Sequence, residues 1–562
     1  MYMKKSKSLL AILLALSMML TACSAGTSGN GTEGQGSTGG SSSITIGQVS
    51  EVANLNPTLF PRTPDSNVQC MIFDPLVSPT ESLEFEGRLA KNWEISDDGK
   101  LYTVHLVENA KWHDGEPFTA DDVVFTFTSL ADPSYIGGMD TRVSSVVGAE
   151  EYKAGTADSV AGIQKVDDYT VTFELTEANA AFIAQLYTYI LPEHLLKDTA
   201  PGEWDKMDFN RAPVGTGKYK FVKWESGQYI QLEKNPDYFG NQPSIDTVYY
   251  KFGDATTLTA ALINGEVDVV ESIESSEIDM LDSTDGASAV TYETMNMYYI
   301  GLNQLNENLK DIKVRQALSY ALDKEKMIKT VYGEYASATD DIFPTTHWSH
   351  TDDVTSYPYD PAKAESLLQE AGYTKNASTG FYEKDGKMLM FTYDMVTKGQ
   401  AAADMSQLVQ QAWQAIGIKV EIREQDFSTL AFTRLLPNDA DGNPRAVTAD
   451  DFDMYTLGFG VEVDPDEYRT YLQSQYCPPN GMNFITYSNP EVDKLFEESI
   501  QTTEQSAREE CYHKIAKIVS DDIPWIPLYC NISIVGVSDK VQNFAVDFRG
   551  ITYQIEKWNM AE

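Results

Sequence analysis

Residues 89–129 read LAKNWEISDDGKLYTVHLVENAKWHDGEPFTADDVVFTFTS, and this stretch shows the pattern that decides the fold. Apolar and polar residues alternate over 101–106, which is the period of a half-buried β-strand. The acidic pair Asp97-Asp98 before this strand is typical of a turn, and Asp121-Asp122 after it is typical of a helix start. The stretch therefore predicts a strand that is followed by a helix.

Similar signals occur along the rest of the chain. Apolar residues alternate with polar ones at 171–175 and 419–423, which predicts two further strands. The pairs Asp360-Pro361 and Asn489-Pro490 combine an N-cap residue with a proline and predict two helix starts. An apolar stripe predicts one helix over about 311–332. Because strands and helices alternate and no period of 20–50 residues is present, we predict an α/β protein rather than a solenoid or a propeller.

The N-terminal residues predict an export signal and a tether. Lysines precede an apolar run over 9–20, which is too short to span a bilayer but has the length of a signal-peptide core. The run ends in Leu20-Thr21-Ala22-Cys23, which resembles the lipobox of bacterial lipoproteins, whose cysteine is lipidated before cleavage. Residues 24–43 are mostly glycine, serine and threonine and have the composition of a flexible linker. We therefore predict a lipoprotein signal peptide over 1–22 and a lipid-anchored linker over 23–43.

The composition excludes several classes of protein. The 562 residues include 84 acidic and 42 basic ones, which gives a formal net charge of -42. Binding to nucleic acid, or to anionic lipid through a basic patch, needs a cationic surface instead. A hydrophobic fraction of 42% is too high for a wholly disordered chain, and the length predicts more than one lobe. Cys70, Cys477, Cys511 and Cys530 remain after lipidation, and they allow three disulfide pairings or free thiols.

Motifs for catalysis and for metal binding are incomplete. The patterns GxSxG, HExxH and CxxC do not occur. Residues 215–218 (GTGK) resemble part of a phosphate-binding loop, but Ala212 and Tyr219 replace its required glycine and its serine or threonine. Residues 439–450 begin like a calcium loop, but Pro444 occupies the position of its glycine. We therefore predict no catalytic residue, no cofactor and no metal ion, and a polar surface loop at 439–450.

A family resemblance covers nearly the whole chain. The stretch 89–129 is similar to the characteristic block of the family 5 extracellular solute-binding proteins, which are the peptide, dipeptide and nickel receptors of ABC importers. Further blocks follow in the order of the family: Pro213–Tyr219, Asn235–Tyr238, Gly265–Asp268, Val314–Leu318, Tyr359–Tyr373, Tyr487–Asp493 and Pro524–Tyr529. Val107, where the first block often carries arginine, is a departure at a position that we interpret as structural, so it weakens the resemblance little. The chain is identified as a member of this family.

The resemblance implies an architecture and a function. The expected fold is α/β of the periplasmic-binding-protein type II, with two lobes around a ligand cleft and an extra inserted subdomain, so three lobes in all. Lobe I would comprise 44–75, 212–300 and 535–562, lobe II 76–211, and lobe III 301–534. The expected function is that of an extracytoplasmic receptor, not an enzyme, which captures oligopeptides or dipeptides by closing its lobes and delivers them to an ABC permease.

Partners and location follow from the same resemblance. We expect a monomer without nucleic acid, held by the lipid on Cys23 at the outer face of the cytoplasmic membrane, on the cell surface or in the periplasm. Alternatives are a receptor of the same fold for an oligosaccharide, a modified peptide, a nickel chelate or another small polar solute, and a sensor or adhesin that uses the same cleft. A secreted hydrolase on a related fold would need a carboxylate pair or a nucleophile in the cleft.

The family also indicates candidate ligand-binding residues. Segment 52–67 resembles the first cleft edge, and Tyr298 and Asn303 precede the crossing into lobe III. Segment 457–466 resembles the stretch in which an acidic residue receives a peptide amine, but Val461 stands at that position. Glu462 and Asp464 are the nearest acids, but their side chains point in other directions than that of position 461. Glu462 is a candidate to face the ligand, Asp464 is equally a turn residue, and the departure counts against recognition of a free amine. The predicted site residues are Asn67, Tyr298, Asn303, Phe459, Gly460, Val461, Glu462, Asp464 and Phe484.

Overall fold

The computed structural model describes residues 42–60, 62–397 and 399–561. The predicted signal peptide, Cys23 and nearly all of the linker therefore lie outside the described residues. No helix in the described part of the chain is long and apolar enough to cross a membrane. Cys70, Cys477, Cys511 and Cys530 are all free thiols, so none of the three disulfide pairings forms.

The largest sheet has eleven strands among the described residues. Its two longest strands, Ala287–Leu302 and Trp525–Ser538, pair antiparallel in its middle, and their register shifts between Glu293 and Met297. On one side of this pair follow Met454–Gly460, Met390–Val396 and Lys419–Gln425. On the other side follow Val269–Val270, Ser43–Gln48, Thr247–Phe252, Tyr229–Lys234 and Tyr219–Glu225, and Ala336–Ala338 pairs with Trp525–Ser538 off this path. The two long strands are thus common to both halves of the sheet.

Strand direction brings the ends of distant segments together. Ser43–Gln48 runs parallel to Val269–Val270 in one half of the sheet, and Met390–Val396 runs parallel to Met454–Gly460 in the other. Residues that follow the carboxyl ends of parallel strands line one edge of a sheet, which is where open α/β sheets bind ligands. By this rule Val49, Glu271 and Val461 lie where a ligand would bind, because each directly follows such a strand.

A second sheet takes two of its four strands from the stretch 89–129. Its four strands are, in spatial order, Ala90–Ile95, Leu101–Leu106, Thr170–Glu174 and Ile163–Asp167. Tyr102, Val104 and Leu106 are buried beneath it, as their alternation predicts. Smaller sheets pair Val77–Pro79 with Phe85–Gly87, Val541–Gln542 with Asn559–Met560, and Tyr382–Lys384 with both Thr374–Lys375 and Lys387–Met388.

The helices follow their sequence signals with one exception. Helices Pro361–Glu370 and Pro490–Ile500 begin after Asp360 and Asn489, whose side chains accept hydrogen bonds from backbone N–H groups of the first turn. The single helix predicted over 311–332 is wrong, because Asp323 caps a new helix and divides the segment in two. Helices of nine or more residues are Thr63–Ile72, Ala120–Leu130, Ala255–Ile263, Ile312–Tyr320, Lys324–Tyr332, Pro361–Glu370, Gly399–Ala415, Pro490–Ile500 and Gln505–Asp522. Shorter ones are Ala149–Lys153, Phe182–Gln185, Glu193–Leu196, Ile278–Asp282, Phe427–Leu430 and Arg469–Leu472.

The glycine-rich segment 215–218 is a packing element in the structure. Gly217 donates its N–H to the carbonyl of Ile72 at 2.8 Å, and Thr216 Oγ1 donates to Asp74 Oδ2 at 2.9 Å. Lys218 Nζ donates to Glu556 Oε2 at 2.5 Å. The segment therefore joins the end of the helix at Ile72 to the C-terminal region, and its lysine is engaged within the chain.

We expect Gly215→Ala to destabilise the protein by about 1–3 kcal/mol, the usual cost of overpacking. A Cβ at this position would lie 1.9 Å from the carbonyl oxygen of Ile72, so the backbone must move. Urea unfolding followed by circular dichroism measures the loss. The control Gly253→Ala, whose Cβ meets only the flexible Leu258 side chain at 3.2 Å, should cost clearly less; equal losses would contradict the packing role.

Candidate functional site

A cleft of about 720 Å³ lies where the carboxyl ends of the two sheet halves meet. Its walls come from widely separated parts of the chain: 49–79, 139–142, 187–189, 271–296, 460–463 and 533–551. The volume is within the range of sites that enclose small ligands, roughly 300–1,000 Å³. Among the predicted residues, Asn67, Gly460, Val461 and Glu462 line this cleft.

One wall is formed by helix Thr63–Ile72 and the residue after strand Val269–Val270. Asn67 Nδ2 donates to Glu271 Oε2 at 2.6 Å, and the backbone N–H of Val49 donates to Glu271 Oε1 at 2.8 Å. Burial raises the pKa of Glu271 to about 7. The wall thus presents a carboxyl group that neutral donors hold in place.

The facing wall is the segment Gly460–Val463. The backbone N–H of Val461 donates to the carbonyl of Met295 at 2.8 Å, so this segment continues the sheet edge beyond Gly460. The backbone N–H of Glu462 donates to Glu467 Oε2 at 3.3 Å, and the Glu462 side chain is exposed to the cleft. Burial and the adjacent Glu462 carboxylate raise the pKa of Glu467 to about 8, while Arg142 acts in the opposite direction.

The side chains of His347 and Trp348 hold this segment by hydrogen bonds to its backbone carbonyls. His347 Nε2 lies 3.1 Å from the carbonyl of Glu462 and 3.2 Å from that of Val463, and Trp348 Nε1 donates to Val463 at 3.0 Å. Because carbonyl oxygens only accept, His347 carries its proton on Nε2. Burial lowers the pKa of this imidazole to about 4, so it is neutral at physiological pH.

We expect the stabilising contribution of His347 to decrease as the pH falls from about 6.5 to about 4. Over this interval the unfolded chain binds a proton at His347, whose ordinary pKa is 6.5, whereas the folded protein does not. The wild type should be more stable than His347→Gln near pH 6.5, and this difference in the free energy of unfolding should decrease by about 2–3 kcal/mol as the pH falls to about 4. Urea unfolding of both proteins at a series of pH values measures it, and a constant difference would contradict a buried neutral imidazole.

Asp464 is an ion-pair partner in the protein interior. Arg508 donates to both of its carboxylate oxygens, with Nη1 at 2.6 Å and Nη2 at 2.7 Å. The guanidinium lies 5.6 Å from the centre of the Trp348 ring and 5.8 Å from that of Tyr512. Asp464 is 5% exposed and does not line the cleft, so it fixes the base of segment 460–463.

Three further predicted residues lie away from the cleft. Tyr298 stacks on Tyr529 with ring centres 4.6 Å apart. Asn303 is fully buried and donates to the carbonyls of Thr448 and Phe452, and Phe484 packs in the core against Tyr455. Tyr298, Asn303, Asp464 and Phe484 do not line this cleft, and their contacts within the chain indicate structural roles; ligand binding by these four residues stays a prediction. Phe459 pairs through its backbone with Met297.

Several cleft residues escape sequence reasoning. Besides Glu271, they are the basic residues Arg62, Arg142 and Arg549 and the aromatic residues Tyr187, Tyr189, Tyr292 and Phe548. Near Glu271 the sequence shows one family feature, the turn at 265–268, which is among the segments that resemble the family. Arg62 pairs with Asp65 at 2.9 Å, and Arg549 pairs with Asp547 and Glu81. Arg142 donates to the carbonyls of Ala184 and Tyr187 at 3.3 and 3.5 Å.

The loop 439–450 is closed by its own hydrogen bonds. Asp439 Oδ1 accepts from the backbone N–H groups of Asp441 and Asn443, each at 2.9 Å. No group of three or more potential metal ligands occurs in the described ranges. The acidic residues at the start of this loop thus stabilise a turn on the surface.

Comparisons of the sequence with known proteins give matches over most of the chain. A model of the bacterial extracellular solute-binding proteins, family 5 (middle), matches residues 84–480. The oligopeptide-binding protein AppA of Bacillus subtilis is 29% identical over 100% of both chains, and the dipeptide-binding protein of Escherichia coli K12 is 29% identical over 82% of this chain and 83% of its own.

Solved structures show the same architecture. The structure of AppA from Bacillus subtilis in complex with a nonapeptide superposes with a TM-score of 0.75 at 28% identity, covering 92% of this chain and 99% of the other. The structure of NikZ from Campylobacter jejuni in complex with Ni(L-His) gives a TM-score of 0.76 at 25% identity, also covering 92% and 99%.

Proposed function

The chain belongs to the family 5 bacterial extracellular solute-binding proteins, and on this premise we propose that it captures oligopeptides in the cleft and delivers them to the permease of an ABC importer. The fold is the predicted type II binding-protein fold. The relatives of the chain are solute-binding transport proteins, and capture needs no covalent step, so we assign it no catalytic role.

One observation carries the proposal for peptides. The cleft lies between a backbone edge, Gly460–Val463, and a wall of half-buried tyrosines and polar side chains. An extended peptide can lie along this segment, with main-chain hydrogen bonds for affinity and permissive pockets for its side chains. The N–H groups of Val461 and Glu462 and the carbonyls of Glu462 and Val463 have partners within the chain, so the peptide would pair with the other backbone groups of the segment. Glu462, which faces the cleft, is the group we assign to the peptide amine in place of Val461.

Closure is the second part of the proposal. In the structure, the backbone N–H of Ala180 donates to the carbonyl of Ile500 at 2.8 Å, a contact between the predicted lobes II and III. Lobes I, II and III with the predicted boundaries would close on a bound ligand by hinge motion, and only contacts made in the closed state drive that motion. Micromolar affinity, about -8 kcal/mol, would allow both capture and release.

The third part of the proposal concerns the location of the protein. We assign residues 1–22 to a signal peptide and Cys23 to a lipid anchor, so that a monomer stays near the permease at the outer face of the membrane. A flexible linker of about twenty residues spans roughly 25 Å, which leaves room to dock. Incorporation of labelled fatty acid at Cys23 tests the anchor.

Mass spectrometry of protein purified under native conditions tests the ligand class. We expect co-purified oligopeptides, and calorimetry with the same peptides should give micromolar or tighter binding. Binding of an oligosaccharide or a nickel complex with no response to any peptide would overturn the peptide assignment and favour a receptor for another solute.

A further inference from the structure

The carboxyl group of Glu271 differs from the other charged groups in its wall of the cleft. The guanidinium of Arg62 is neutralised by Asp65, and that of Arg549 by Asp547 and Glu81. Glu271 forms no ion pair with a cation in the parts of the chain that the structure describes. Its neighbours supply only a backbone N–H and an amide. When Glu271 is ionised, its charge therefore has no matching cation in this wall.

The position of Glu271 is set by the centre of the large sheet. It follows strand Val269–Val270, which lies between Trp525–Ser538 and Ser43–Gln48, and its own N–H donates to the carbonyl of Gly47 at 3.1 Å. Asn67 is fixed in turn, because its carbonyl accepts from Tyr250 Oη at 2.7 Å. A carboxylate held this firmly can meet a cation without reorganising.

The surroundings of Glu271 suit the stem of a long basic side chain. Tyr292 and Ile551 line the cleft with it. Burial raises the pKa of the Tyr292 and Tyr250 phenols, and the nearby Glu271 charge adds a smaller contribution to both. Lysine and arginine lay their methylene groups along apolar and aromatic surfaces and keep the charged end with a polar partner. The Tyr250 and Tyr292 phenols are neutral at physiological pH and do not compete for a cation.

Building on the proposed peptide function, we propose that Glu271 receives the ammonium or guanidinium group of a basic side chain, so that the cleft selects lysine- or arginine-containing peptides. A carboxylate that is partly removed from water and has no counter-ion costs free energy, and a ligand cation removes that cost. The Glu271 site lies on the wall opposite Glu462, so the peptide amine and the basic side chain have separate partners. The strongly acidic chain attracts such ligands from solution as well.

Calorimetry with matched peptides tests the assignment. A set of alanine-based peptides carries lysine or its neutral analogue norleucine at each position in turn. At one position we expect the wild type to bind the lysine peptide at least about tenfold more tightly, the effect of one charge pair of about 1.4 kcal/mol. Glu271→Gln should abolish the preference, Glu271→Asp should retain part of it, and the exposed control Glu274→Gln should retain all of it.

Proton release provides a second readout. With a pKa near 7, Glu271 is about half protonated at pH 7, so the lysine peptide should displace about half a proton. Titrations of the lysine and the norleucine peptide in two buffers of different ionisation enthalpy measure the difference in proton release between them, which Glu271→Gln should lack. If wild type binds lysine and norleucine peptides equally at every position, or if Glu271→Gln keeps the preference, the assignment of Glu271 is wrong while peptide binding stands. If no peptide of either kind binds, the peptide function itself fails, and the assignment with it.

Discussion

Replacing Arg508 by alanine should lower the free energy of unfolding by about 3–5 kcal/mol, the usual cost of removing one partner from a buried ion pair. Asp464 would keep a buried carboxylate without the two hydrogen bonds, at 2.6 and 2.7 Å, that now satisfy it. The guanidinium also packs between Trp348 and Tyr512, so its removal leaves a cavity. Urea unfolding followed by tryptophan fluorescence measures the loss.

Two further variants separate the ion pair from the helix that carries it. Lys514→Ala, in the same helix, removes an exposed pair with Glu510 and should cost less than about 1 kcal/mol. The double variant Asp464→Leu/Arg508→Met removes both charges and should be more stable than Arg508→Ala. If Arg508→Ala were no more destabilised than Lys514→Ala, Asp464 would be free to act as the ligand residue that the sequence resemblance allows.

Local signals in the sequence predict most of the fold correctly. The strand at 101–106 and the helix starts at Asp360-Pro361 and Asn489-Pro490 are confirmed by the structure. Each of these signals depends on neighbouring residues only. The break between helices Ile312–Tyr320 and Lys324–Tyr332 was not predicted, because the apolar stripe continues through it. Asp323 caps the second helix. It can do so only because the backbone turns at this residue, and the periodicity of apolar residues does not indicate where the backbone turns.

The cleft is harder to predict, because its residues converge from distant parts of the chain. Glu271 meets Asn67 across 204 residues and Val49 across 222, and no local pattern marks such a meeting. Asn303 and Asp464 show the opposite difficulty. A polar side chain near a cleft segment looks the same in the sequence whether it binds a ligand or, as here, a backbone carbonyl or a buried arginine.

Glu462→Gln should weaken the binding of peptides that have a free N-terminal amine at least about 30-fold. Loss of one partner from a desolvated charge pair costs about 2 kcal/mol or more. Glu467 cannot replace it fully, because burial, the largest cause of its raised pKa, persists in the variant and keeps part of this carboxyl group protonated, although the contribution of the Glu462 charge is lost. Calorimetry with a peptide and its N-acetylated form measures the effect, since the acetylated form lacks the charge that Glu462 recognises.

The ratio of the two affinities distinguishes recognition of the amine from a general disturbance of the cleft. Wild type should prefer the free amine, Glu462→Gln should bind both forms with similar weak affinity, and the exposed control Glu491→Gln should behave as wild type. Glu271→Gln should keep the preference for the free amine, because Glu271 lies on the opposite wall. If Glu462→Gln instead kept the wild-type ratio, Glu462 would not recognise the amine. With valine at position 461, the receptor would then bind peptides through main-chain contacts alone.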